Sequence, residues 1–142
     1  MHYLRLRTQV TPFGYFAAEA CYGAPESEAW RQRLLAYLRA NRDYAVERLT
    51  TALPHGAVKV TRPESSYLLW VDATQLLAGS KAEAGGAAAH LLSYGVGASA
   101  GEDFGASNTT FRINLACERS TLERGLGRIV EALSAPDTPG DK

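Results

Sequence analysis

A single apolar stripe running from Pro25 to Leu53 constrains the fold of this chain more than any other feature. Trp30, Leu34, Leu38, Ala45, Leu49 and Ala52 recur mostly at steps of three and four, the spacing that lines up one side of an α-helix. Arg31, Gln32, Arg39, Arg42, Glu47 and Arg48 fill much of the remaining circumference. Pro25 suits the first helical position, where its missing N–H is no loss, and Pro54 and Gly56 stop the run. A helix over this stretch would measure roughly 40 Å at about 1.5 Å per residue. That is more than a globule of 142 residues needs, and helices of such length often bridge two bodies. The apolar stretch before it, Thr11 to Tyr22, is expected to hold a short helix.

The rest of the chain reads as alternating strands and helices. Ala57–Thr61 and Ser66–Asp72 are strand-like, and Arg62-Pro63-Glu64-Ser65 between them predicts a hairpin. In the second run Tyr67, Leu69 and Val71 share one face and Leu68 and Trp70 the other, so both faces are expected to be covered. Ser80 and Glu83 form a capping-box spacing that opens a helix through Tyr94, with Gly95 placed as its left-handed end. Val96–Ser99 and Thr110–Ala116 follow as strands around the loop Ala100–Asn108. Ser120 and Glu123 repeat the capping box before a helix carrying Leu122, Leu126, Ile129, Val130 and Leu133 on one side. The expected class is α/β: a small α/β sandwich with a mixed or antiparallel sheet covered by helices, preceded by a long helix of the interdomain type.

Composition narrows the function by exclusion. Fifteen basic residues balance fifteen acidic ones, so no net field points to nucleic acid or to an anionic membrane. No window approaches the ~20 apolar residues of a membrane span, and MHYLRLRTQV lacks the apolar stretch of a secretory signal. Cys21 and Cys117 are far apart and match neither a zinc spacing nor a disulfide framework. They are expected to be small buried hydrophobes, and the compartment is expected to be cytoplasmic. His2, His55 and His90 stand without an acid or cysteine at ligand spacing, so no metal site is predicted. Glycine-rich phosphate signatures, HExxH, GxSxG and DxDxDG are absent.

The most informative stretch is TFRINLACERS, 110–120. In strand geometry Phe111, Ile113 and Leu115 face the core while Arg112, Asn114 and Ala116 face away. A guanidinium in an otherwise apolar strand is costly to bury alone. Arg112 must therefore reach solvent, a carboxylate of the protein or an anionic ligand, and its planar fork suits bidentate capture of a carboxylate. The residues alone leave these outcomes open.

SEAWRQRLLAYLRANRDY (27–44), PESSYLLWVDA (63–73), GVGASAGEDFG (95–105) and FRINLAC (111–117) resemble, in order and spacing, the C-terminal third of class I/II pyridoxal-phosphate (PLP) enzymes. The nearest branch is the cystathionine β-lyase-like C–S lyases, and the likeness covers residues 14–134. It implies a remnant of a large domain or linker over 1–24, the C-terminal small domain over 25–134 and a flexible tail over 135–142. It also implies that Arg112 binds the α-carboxylate of an amino-acid substrate. Ala100 stands where the family's loop has proline, while Gly101, Phe104 and Gly105 match; Phe104 and Tyr67 are expected to be packing residues.

The family's cofactor lysine, its pyridine-nitrogen aspartate and its phosphate-binding groups all belong to the large domain that precedes the long helix. The chain has Lys59, Lys81 and Lys142; Lys81 is expected to be a surface lysine and Lys59 an edge charge. The expectation is thus a fragment of a PLP-dependent aminotransferase or C–S β-lyase. It would hold no catalytic residue and bind no PLP by itself, and would need a missing large domain or a homo-oligomeric partner. The alternative is a catalytically inactive module that self-associates or docks another protein through the Trp30, Leu34 and Leu38 stripe. An independent small enzyme would need a nucleophile or acid–base pair, and the sequence offers none.

Overall fold

The computed structural model describes residues 10–77 and 85–135. Two compact units divide the chain, Met1–Tyr37 and Leu38–Lys142.

In the first unit, Thr11 caps helix α1 (Pro12–Gly23): its Oγ1 accepts the Gly14 N–H at 3.1 Å, and Pro12 sits just behind the cap. Ala24 is extended and ends the helix, its N–H donating back to the Ala20 carbonyl. Helix α2 (Pro25–Ala52) restarts at once, with Glu26 and Glu28 in the first turn where the helix dipole favours negative charge. No residue of α1 is buried.

The second unit is a four-stranded antiparallel sheet with helices. The strands are β1 (Lys59–Val60), β2 (Leu68–Asp72), β3 (Ser99–Ala100) and β4 (Thr110–Asn114), in the order β1-β2-β4-β3. Helix α3 (Gly86–Ser93) lies between β2 and β3, and helix α4 (Arg119–Ser134) closes the unit. The expected α/β class with an antiparallel sheet, behind a long helix, is what the chain forms. One cluster joins Leu69, Val71, Phe111 and Ile113 of the sheet to Ala45 and Leu49 of α2, Ala87 and Leu91 of α3, and Leu122, Leu126 and Ile129 of α4.

β2 departs from the reading of two covered faces. Leu69 and Val71 are fully buried, but Leu68 and Trp70 on the opposite face are only half-buried and Tyr67 is exposed. Among the described residues the helices contribute to the core from one side, so the second face stays partly open. The first strand is also shorter than expected, because Ala57 and Val58 are buried in the turn that follows Pro54 and Gly56. The connection to β2 is correspondingly long, and Ser66 within it takes a positive φ of 68°.

Gly95 ends α3 as expected. At φ 73° its N–H donates to the Leu92 carbonyl and the Val96 N–H to that of Leu91, the paired bonds of a Schellman end. The Ser80–Glu83 capping box and Lys81 lie outside the described residues, as do His2 and Lys142. The Ser120–Glu123 box does not form: the helix begins at Arg119 behind Glu118, so Ser120 already sits inside the first turn. Gly125 and Gly127 lie in the interior of α4, where each glycine costs about 1 kcal/mol relative to alanine.

Asn41 is a buried polar residue that the apolar stripe conceals. It occupies the step between Leu38 and Ala45, and its Nδ2 donates to the carbonyls of Leu115 at 2.9 Å and Cys117 at 3.1 Å. It thereby ties α2 to the chain leaving β4.

Candidate carboxylate site

Arg112 lies in the middle of β4, between Trp70 of β2 and Ser99 of β3 in the cross-strand register. The neighbours in its strand explain the placement: Phe111 and Ile113 enter the core, so Arg112 is turned to the partly open face. There its guanidinium carbon stands 4.1 Å from the centre of the Phe104 ring. Trp70 meets the same ring edge-on, 5.7 Å between centroids at 80°. Stacking a cation on a ring contributes about 0.5–1 kcal/mol at an exposed site and holds the plane of the fork in one orientation. The Arg112 Nη2 donates a long bond of 3.4 Å to the Ser99 hydroxyl. No carboxylate among the described residues pairs with it.

The loop that delivers Phe104 is built tightly. Residues Gly101–Phe104 form a single 3₁₀ turn, closed by Gly105 at φ 78°. Gly101 is buried, and a Cβ there would stand 2.7 Å from the carbonyl oxygens of Ser107 and Thr110. Only glycine allows that approach. Behind the turn runs a chain of hydroxyls: Thr74 to Thr109 at 2.7 Å, Thr109 to Ser107 at 2.7 Å, and Ser107 to Thr110 at 3.0 Å. Asp72 anchors it by accepting from the hydroxyl and the N–H of Thr74, and these bonds hold its carboxyl below the usual range.

Beside Arg112 opens a cleft of about 340 Å³ lined by Leu68, Ala98, Ser99, Arg112 and Asn114. Its side-chain donors are one guanidinium, one hydroxyl and the Asn114 amide; its lining includes no lysine amine and no carboxylate. That set fits a carboxylate ligand. It does not fit the aldehyde or the pyridine nitrogen of PLP, which need an amine and an acid. Lys59 is exposed at the edge of the sheet opposite Asp72, as an edge charge should be. A wider hollow of about 610 Å³ lies in the first unit, around Tyr22, Ser27 and Trp30. Of the two carboxylates at its wall, Glu26 and Glu28, the second is already engaged by Arg31 and Gln32, whose hydrogen bonds hold it at about 2.

The other candidate residues are placed as follows. His55 is exposed, and the His90 Nε2 lies 2.9 Å from the Ala132 carbonyl, joining α3 to α4. Among the described residues no group of three or more His, Cys, Asp or Glu side chains could hold a metal. No described helix is long and apolar enough to cross a membrane. Cys117 is half-buried but Cys21 is exposed, because α1 buries nothing. Phe104 packs on Trp70 and on the Arg112 guanidinium, but it stays half-exposed and does not enter the core. Ser99 and Trp70 were not legible as site residues, since their role depends on which strands flank β4.

No family model matches the chain. Cystathionine beta-lyase of Corynebacterium glutamicum is 36% identical over 127 residues, covering 89% of this chain and 32% of that protein. Cystathionine beta-lyase PatB of Bacillus subtilis is 34% identical over 127 residues, covering 86% and 30%. The PLP-bound C–S lyase from Staphylococcus hominis superposes with a TM-score of 0.75 at 30% identity, over 87% of this chain and 31% of that one. The chain belongs to the class I/II family of PLP-dependent enzymes. Within that aminotransferase family it falls in the cystathionine β-lyase-like C–S lyase branch and corresponds to the C-terminal small domain. It spans about a third of the length of the curated relatives it matches.

Proposed function

We propose that this chain is the carboxylate-gripping small domain of an aminotransferase or C–S β-lyase that acts on amino acids. Arg112 would take the α-carboxylate of the substrate through two parallel N–H···O bonds. The observation that carries the reading is the state of its guanidinium: stacked on Phe104, tethered to Ser99 and facing a cleft without a counter-ion. Phe104 and Trp70 fix the plane of the fork before the ligand arrives, so less side-chain freedom is lost on binding.

Arg112 orients the substrate and moves no proton. The cofactor, which supplies the electron sink at Cα in this family, would be held by a large domain. Within this account residues 1–24 are large-domain or linker chain, 25–134 the small domain and 135–142 a tail. Cys21 and Cys117 form no disulfide, which accords with a cytoplasmic protein.

A second reading is favoured by the first unit. Phe13 is 87% exposed, Tyr22 93% and Trp30 59%, and Tyr22 and Trp30 line one hollow; contiguous exposed apolar surface marks an interaction face. In that reading the domain has left catalysis and self-associates or docks another protein. Titrating propionate into the chain while recording the side-chain Nε–H resonances of its arginines tests the first reading. A saturable shift of Arg112 that disappears in Arg112→Gln is expected. A shift spread evenly over all arginines would leave only the interaction module.

A further inference from the structure

A second groove lies in the folded unit, on the side of the sheet that carries α4. Its volume is about 290 Å³, and it runs between the Gly95–Gly97 segment, the end of β4 and one flank of α4. Val96, Ile113 and Leu122 supply apolar lining, and Arg124 and Arg128, one helical turn apart, stand along it. Among the described residues each guanidinium has a neutral partner at long range: Arg124 the Thr121 hydroxyl at 3.4 Å, Arg128 the Gly95 carbonyl at 3.3 Å. The ion pairs among the described residues lie elsewhere, at Glu28 and Asp43.

Two of the glycines that line the groove stand where a side chain would meet no obstacle. A Cβ built on Gly97 or Gly125 would meet nothing within 4 Å, and neither residue has a positive φ. Gly101 and Gly86 differ sharply, for there a Cβ would stand 2.7 Å from a backbone oxygen. Gly125 also lies in a helix interior, where alanine would be the more stable choice. The described residues thus leave room beside α4 at these two positions.

We propose that the groove is a binding site for a small organic anion. Its carboxylate or phosphate would lie between Arg124 and Arg128, and its apolar body would cover Val96, Ile113 and Leu122. Planar forks suit either oxyanion bidentately, and the volume is at the small end of ligand pockets. The groove adjoins the Arg112 cleft, with which it shares Gly97, Ile113 and Asn114, but its arginines are Arg124 and Arg128 and it does not depend on the role given to Arg112.

The test is an NMR titration of the ¹⁵N-labelled chain with 3-phenylpropionate, read at the Gly125 amide and the Arg124 and Arg128 Nε–H groups. The neutral 3-phenylpropanol and inorganic phosphate serve as controls, and Arg112→Gln removes any contribution from the other cleft. Saturable shifts that persist in Arg112→Gln are expected. The dissociation constant should rise at least tenfold in Arg124→Gln/Arg128→Gln and in Gly125→Leu, which fills the groove while keeping the helix. It should be at least tenfold higher for either control. Absence of saturation, equal binding of the alcohol or of phosphate, or unchanged affinity in both variants overturns the proposal. So does a ligand-free dimer whose interface falls on these residues.

Discussion

The two units of this chain spend the same kinds of residue in opposite ways. In the first, Phe13, Phe16, Tyr22 and Trp30 lie open; in the second, Leu49, Leu69, Phe111 and Leu126 are withdrawn from water almost completely. Helix α2 carries the contrast along its own length, with Trp30 exposed near its start and Ala45 and Leu49 fully buried towards its end. A periodic apolar stripe tells which side chains favour burial. It does not tell what buries them. The second unit supplies its own cover from a sheet and three helical segments, whereas the first offers apolar surface suited to another protein surface.

The largest expected difference comes from equal deletions in the two units. Phe111→Ala should cost about 3–5 kcal/mol, since it removes a fully buried ring from a close-packed core. Phe13→Ala should stay within about 0.5 kcal/mol. Urea unfolding of the two variants measures both, and comparable losses would break the contrast.

Glycines sharpen it inside the second unit. Gly101→Ala should cost about 1–3 kcal/mol, because the new methyl meets two carbonyl oxygens of the backbone. It should also displace Phe104, which a loss of ring-current shift at the Arg112 Nε–H would register. Gly97→Ala, with open space around its Cβ, should leave the unfolding midpoint unchanged.

Acid separates the units more gently. The Asp72 carboxyl is held below its ordinary value chiefly by the Thr74 hydroxyl, with the Thr74 N–H and Lys59 adding to it. A folded pKa below the unfolded one gives stability that is complete above the unfolded value, near 4, and is lost as the pH falls through the folded one. Asp72→Asn should flatten the acid limb of a stability–pH curve. Glu28 of the first unit titrates at about 2 because Arg31 and Gln32 bond to it, yet it is exposed. Glu28→Gln should leave the midpoint where it is, while Arg31→Gln should move the Glu28 titration, followed by NMR, back towards the usual carboxyl range.

Much of the fold was legible because it rests on local periodicity and on residues with a single strong role. The limits of α2, the strand around Arg112, the outward turn of that side chain and the left-handed end at Gly95 all follow from spacing and backbone chemistry. The open second face of β2 was not legible, since Leu68 and Trp70 are as apolar as buried residues and only the placement of the helices decides. Asn41 escaped notice for a similar reason: its Nδ2 donates to carbonyls 74 and 76 positions away. Phe104 reads as a packing residue, and that its partners are Trp70 and a guanidinium depends on a loop that Gly101 alone permits.

The central claim is that this domain grips a carboxylate and leaves cofactor chemistry to another part of the enzyme. Titration of the purified chain with PLP, followed by borohydride reduction and mass spectrometry, tests it most directly. The account predicts no stoichiometric adduct on any one lysine. One equivalent of cofactor fixed on Lys59 or Lys81 would contradict it and make this short chain a PLP-binding protein in its own right.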